Sequence, residues 1–107
     1  MIQQLTVSEL KEKLDQESDK VVVLDVREPW ERNVCELPGA ITIPMREVPS
    51  RTAELPKDVE IAVLCHHGIR SQQVALYLDR VGFDKLHNVV GGIAAWAREI
   101  DTKMPTY

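Results

Sequence analysis

The chain is poor in cysteine, with two in 107 residues, Cys35 and Cys65. Two are too few for the disulfide framework of a small secreted domain, and in a reducing compartment both are thiols. It has no basic excess either. Thirteen Lys+Arg against seventeen Asp+Glu leave a net charge of −4, which argues against a protein that works on nucleic acid or an anionic membrane. No run approaches the roughly 20 apolar residues needed to cross a bilayer. The opening Met1-Ile2-Gln3-Gln4-Leu5 lacks the basic and apolar regions of a signal peptide. The expectation is a cytoplasmic protein that does not touch membranes. Repeats, low-complexity tracts and Gly/Ser linkers are missing too, so residues 1–107 read as one domain. At that length folding hides roughly 60–70% of the surface of the open chain. With 44% hydrophobic and 28% charged residues, the chain can build a core without a metal or disulfide staple.

What is present alternates between strand and helix signals. Thr6-Val7-Ser8-Glu9 is a capping-box pattern, so a first helix begins near Val7. Lys20 to Val26 contains a β-branched run that reads as a strand buried on both faces. Glu28-Pro29-Trp30-Glu31 reads as one helical turn with proline near its start. Ile41 to Ile43 is a brief strand, and Met45 to Leu55 a short helix or two broken by Pro49. Val59 to Leu64 is a second buried strand. In Ser71 to Val81, residues Val74, Ala75, Leu78 and Val81 share one helical face, and Gly82 closes the helix. Leu86 to Val90 is a last strand, followed by Gly91-Gly92 and a helix through Ala97, in which spacing places Ile93, Trp96 and Ala97 in the core. This alternation predicts an α/β fold with a parallel sheet covered on both faces. In such sheets ligands sit outside the carboxyl ends of the strands, here after Val26, Leu64 and Val90.

One of those addresses carries chemistry. Cys65-His66-His67-Gly68-Ile69-Arg70-Ser71 joins a buried strand to a helix whose first hydroxyl, Ser71, is placed to cap it. Such a short loop tends to turn backbone amides inward as an anion-binding nest, and the helix behind it adds partial positive charge. A thiol held there is favoured as thiolate, the nucleophilic form. No Asp or Glu occurs from Ile61 to Leu78, so the sequence keeps this loop free of acid. The competing reading of Cys65 is a small apolar residue at a strand end; Gly68, Arg70 and the expected Ser71 cap favour the reactive one.

Four motifs then resemble the rhodanese-like sulfurtransferases. Asp25-Val26-Arg27-Glu28 resembles that family's Asp-Val-Arg-Glu motif, and Leu37-Pro38-Gly39-Ala40 its Ile-Pro-Gly-Ala segment. Cys65 to Ser71 is similar to its active-site loop, and Gly82-Phe83 with Asn88 to Trp96 to its C-terminal signature. The family often has Gly-His before Ile-Pro-Gly-Ala, where this chain has Cys35-Glu36. The resemblance implies a single α/β domain around a five-stranded, mainly parallel sheet with helices on both faces. It implies a thiosulfate sulfurtransferase that moves sulfane sulfur from thiosulfate or a persulfide to a thiol or cyanide, through a persulfide on Cys65. No cofactor is implied. The partners it implies are a small anionic sulfur donor and a thiol acceptor such as a thioredoxin-like protein. The amides of His66, His67, Gly68, Ile69, Arg70 and Ser71 would cradle the sulfur, with Arg70 favouring an anionic donor.

Alternatives stand beside this reading. A partner-dependent persulfide carrier would use the same loop. A phosphatase would need an arginine six residues after the cysteine; here Ser71 holds that place and Arg70 comes one residue early. Asp25 and Arg27 pair with each other or with other charged groups to hold the loop edge, Arg27 being expected to pair with an acid such as Glu36; the resemblance implies that Asp25 lies near the active-site loop and orients it from behind. His66 and His67 read as solvent-facing loop residues, with the alternative that either imidazole shifts the thiol pKa or contacts the donor; adjacent side chains diverge and no further ligand cluster accompanies them, so no metal is expected. Cys35 is a spectator or a resolving thiol, and Trp30 a rim or sheet-covering residue.

Overall fold

The computed structural model describes residues 2–16 and 20–107. Its elements in chain order are β1 (Ile2–Leu5), α1 (Val7–Asp15), β2 (Val21–Asp25), α2 (Pro29–Val34), β3 (Ile41–Thr42), 3₁₀ turns at Met45–Ser50 and Thr52–Glu54, β4 (Glu60–Leu64), α3 (Ile69–Arg80), β5 (Leu86–Val89) and α4 (Gly92–Glu99). The five strands form one sheet in the order β1-β5-β4-β2-β3, and every pairing is parallel.

Strand side chains alternate between two apolar layers, as the pleat requires. Leu24, Ile61, Val63 and Leu86 pack with Val74, Ala75 and Leu78 of α3. Val23, Ala62, Leu64 and Val89 pack with Val7 and Leu10 of α1 and with Ile93 and Trp96 of α4. Burial on both faces explains why β2 and β4 read as continuous apolar runs. The capping box of α1 forms: Thr6 Oγ1 accepts from Glu9 N–H at 3.1 Å, and Glu9 Oε1 accepts from Thr6 N–H at 2.8 Å.

One strand goes unread in the sequence, and three expectations need correction. The N-terminal strand β1 is an edge strand whose two glutamines face outward, so it lacks the apolar run by which the others are read. Pro49 lies inside the first 3₁₀ turn, and the chain breaks at Arg51; the six-residue 3₁₀ turn accommodates a ring that an α-helix interior would not. Helix α3 begins at Ile69 with Gly68 as its N-cap in the left-handed region (φ +102°). Ser71 therefore lies inside the first turn and is buried instead of capping. Val81, expected on the buried face, is the C-cap of α3 and is exposed.

Candidate active site

The carboxyl ends of β2, β4 and β5 meet at one rim of the sheet, and Cys65 follows β4 directly. Parallel pairing sets Asp25 opposite Leu64, and Val26 N–H donates to the Leu64 carbonyl at 3.0 Å. Cys65 is 1% exposed. Its sulfur accepts a hydrogen bond from Gly68 N–H at 3.0 Å and donates to Ser71 Oγ at 3.3 Å. A sulfur bonded by the N-cap amide of α3 sits at the positive end of that helix.

The loop's shape is held from behind by α4. Ile93 N–H donates to the Cys65 carbonyl at 2.9 Å and Ala94 N–H to the His66 carbonyl at 3.1 Å. Two amides that an isolated helix would leave without partners therefore dock the loop. Contact is so close that a Cβ on Gly92 would lie on the carbonyls of Cys65 and His66.

Arg70, in the first turn of α3, forks onto Glu31 of α2 with both N···O distances at 2.7 Å. Glu31 is 3% exposed. The Arg70 hydrogen bonds hold its carboxyl down at about 2 against the opposing effect of burial, and the same fork raises Arg70. The sequence places no acid near the loop in the chain, but the fold brings one in from 39 residues away. The loop is therefore not free of acid, and its one arginine is charge-paired.

Asp25 and Arg27 are both fully buried and pair with each other, Arg27 Nη2 to Asp25 Oδ2 at 2.7 Å and Nε to Oδ1 at 3.0 Å. Arg27 also donates to the Glu31 and Cys35 carbonyls, at 3.3 and 2.8 Å, and to the Tyr107 hydroxyl at 3.1 Å. Burial opposes its charge, but Asp25 outweighs that and raises it further. Its partner is Asp25 and not Glu36, because Glu36 follows the end of α2 and is exposed. The pair thus anchors α2, and α2 holds Arg70 through Glu31. Cys35 is buried at the C-cap of α2, 4.0 Å from Arg27 Nη1.

Tyr107 completes this network, although nothing in its local sequence marks it. Its hydroxyl donates to Glu31 Oε1 at 2.9 Å and accepts from Arg27. Its ring stacks on His66 with centroids 3.9 Å apart, and Trp30 meets it edge-on at 5.6 Å. Trp30 is 61% exposed and therefore stands at the rim. Contrary to expectation the His66 and His67 side chains do not diverge, their rings lying 3.9 Å apart, and His66 is half-buried instead of facing solvent; its burial, helped by neighbouring His67, lowers its pKa. His67 is exposed, and Ile69 projects into solvent at 72% exposure. Nothing in the sequence marks Gln4 or Gln72, and Asn88 is marked only as part of the C-terminal motif, yet they join behind the loop: Ser71 Oγ donates to Asn88 Oδ1 at 2.5 Å, Asn88 Nδ2 to Gln4 Oε1 at 2.9 Å, and Gln4 Nε2 to Gln72 Oε1 at 2.9 Å.

A family model for the rhodanese-like domain matches residues 6–99. A sulfurtransferase of Allochromatium vinosum is 36% identical over 98 residues, covering 92% of this chain and 91% of that protein. The thiosulfate sulfurtransferase GlpE of Tolumonas auensis is 33% identical over 76 residues, covering 71% of this chain and 72% of its own. The crystal structure of a rhodanese-like domain protein from Staphylococcus aureus superposes with a TM-score of 0.83 at 34% identity, covering 98% of each chain. The four motifs that carry the resemblance all lie within the matched span. Tyr107 and Gln4 lie outside it.

Proposed function

The chain belongs to the rhodanese-like domain family, and from that premise we propose that it is a sulfurtransferase, one domain over residues 1–107, with Cys65 as its nucleophile. The observation that carries this reading is the placement of one buried sulfur on the N-cap amide of α3, 3.0 Å from Gly68 N. An amide and a helix terminus aimed at one atom favour negative charge on it.

The thiolate attacks the outer sulfur of thiosulfate. A bond forms between Sγ and that sulfur, the S–S bond of thiosulfate breaks, and sulfite leaves with the electron pair. A thiolate or cyanide acceptor then attacks the outer persulfide sulfur, and Cys65 leaves as thiolate. The remaining amides of His66 to Ser71 would cradle the added sulfur, as the resemblance implies. Arg70 contributes through the N–H groups that Glu31 does not use; a guanidinium has five and the fork takes two. Asp25 and Arg27 act from behind by fixing α2. A cytoplasmic, reducing setting would keep both cysteines as thiols and would supply a small thiol or thiol protein as acceptor.

Intact mass after incubation of the reduced protein with thiosulfate tests the reading. The expected result is a gain of one sulfur, about 32 Da, on the wild type and none on Cys65→Ser. A gain that survives Cys65→Ser would remove Cys65 as nucleophile. No gain on either protein would remove thiosulfate as the donor.

A further inference from the structure

The hydrogen bonds behind Cys65 have a direction. The thiol donates to Ser71 Oγ, Ser71 donates to Asn88 Oδ1, Asn88 Nδ2 donates to Gln4 Oε1, and Gln4 Nε2 donates to Gln72 Oε1. Ser71 has a single proton, and that proton points away from the sulfur. Its lone pairs face Sγ, which suits a protonated thiol and opposes a thiolate. Ser71 and Asn88 are buried, so water does not relieve the mismatch.

Each amide in the chain can turn over and exchange its oxygen for its nitrogen. If Asn88, Gln4 and Gln72 all turn, every bond survives with its sense reversed. Gln72 then donates to Gln4, Gln4 to Asn88, and Asn88 to Ser71, whose hydroxyl is left to donate to sulfur. A partial reversal would set two acceptors against each other, for instance Ser71 Oγ and Asn88 Oδ1 across 2.5 Å, so the chain turns as a unit. It ends at exposed Gln4 and half-buried Gln72, where water absorbs the last mismatch.

We infer that Asn88 and Gln4 are positioning residues of the sulfurtransferase site, forming with Gln72 an amide relay whose polarity sets whether Ser71 accepts from the Cys65 thiol or donates to its anionic form. The inference rests on Cys65 being the nucleophile. No proton travels along the amides. The thiol proton leaves to water, the hydroxyl rotates, and the amides follow. The charged and titratable groups around the sulfur are the Arg70–Glu31 bridge between α3 and α2, His66 and His67 of its own loop, Tyr107 stacked on His66 and bonded to Glu31, and the buried Asp25–Arg27 pair beyond β2. The first turn of α4 is Gly92-Ile93-Ala94-Ala95, and His87 of β5 points to the opposite face, onto Glu60.

Gln4 is the residue to vary, because it is exposed and does not touch Cys65 or the loop. Gln4→Glu places acceptors only beside Asn88 and locks the resting polarity. Gln4→Lys places donors only and imposes the reverse. The readout is the rate of Cys65 alkylation by iodoacetamide against pH, located by peptide mass and run in 1 M salt, where the screening length is about 3 Å. The expected midpoint for Gln4→Lys lies about one pH unit below that for Gln4→Glu, the size of one hydrogen bond to a charged atom. In a Ser71→Ala background the relay is cut and the gap closes, whereas charge acting through solvent would be indifferent to Ser71. Asn88→Ala supplies an equivalent cut if Ser71→Ala does not fold. A gap undiminished by the cut, or no gap with the relay intact, overturns the inference. Alkylation needs only the thiol, so this outcome is independent of whether thiosulfate adds the 32 Da sulfur.

Discussion

Glu31 shows how one carboxylate can serve both stability and the site. Its oxygens take two N–H groups from Arg70, one O–H from Tyr107 and the backbone N–H of Glu28. These donors hold its carboxyl at about 2 in the folded state, against an ordinary 4.5. An unfolded chain therefore takes up a proton near pH 4 that the folded chain refuses until about 2. The resulting stability is fully present above about pH 5 and is lost as the pH falls towards 2. Because Arg70 is one-third exposed, the contribution is about 1–3 kcal/mol, less than the bare shift would give. Urea midpoints measured from pH 7 down to pH 3 should fall more steeply for the wild type than for Glu31→Gln. Parallel slopes would mean that the fork does not hold the carboxylate's charge.

At the scale of elements, the cysteine loop is one half of a joint whose other half is the start of α4. The αL conformation of Gly91 and Gly92 brings two α4 amides onto the loop carbonyls. Gly92→Ala adds a methyl that lands on those carbonyls in a left-handed backbone, so the loop must move. The expected cost is about 2–4 kcal/mol of stability, together with a marked loss of persulfide formation. Gly39→Ala is the control, because Gly39 shares a positive φ of +82° but has open space where the Cβ would go. That variant should lose only about 1 kcal/mol and keep its activity; equal losses in both would mean that strain alone, and not the joint, matters. The same elements explain what the sequence could reveal. β2, β4, the α3 face and the cysteine loop were legible because their signals are local: apolar runs, helical periodicity and a short spacing. β1 was not, because two outward glutamines on an edge strand leave no pattern. Glu31, Asn88 and Gln4 were not, because their roles exist only through contacts that cross 39, 17 and 84 residues of chain.

Across the whole molecule, Tyr107 joins pieces that lie 76 and 80 residues from it, Glu31 and Arg27, and packs its ring between His66 and Trp30. The segment after α4 thereby crosses the rim of the sheet and closes the network that runs from Asp25 through Arg27 and Glu31 to Arg70. Burial pushes the Tyr107 hydroxyl up to about 12, with the Arg27 hydrogen bond pulling the other way and Glu31 adding to the rise. The folded state therefore keeps a proton that the unfolded chain releases near pH 10. Between those two values stability falls as the pH rises, because the unfolded state binds fewer protons. Tyr107→Phe removes this dependence. It also withdraws one partner each from Glu31 and Arg27, at about 1–2 kcal/mol near pH 8. Tyr107→Ala further loses the two ring contacts, another ~1–2 kcal/mol. Urea midpoints of the three proteins from pH 8 to pH 11 should show the wild type losing its advantage over Tyr107→Phe as the solution becomes alkaline. If wild type and Tyr107→Phe fall in parallel across that range, the hydroxyl is not held in its protonated state by the fold, and Tyr107 contributes only the packing of its ring.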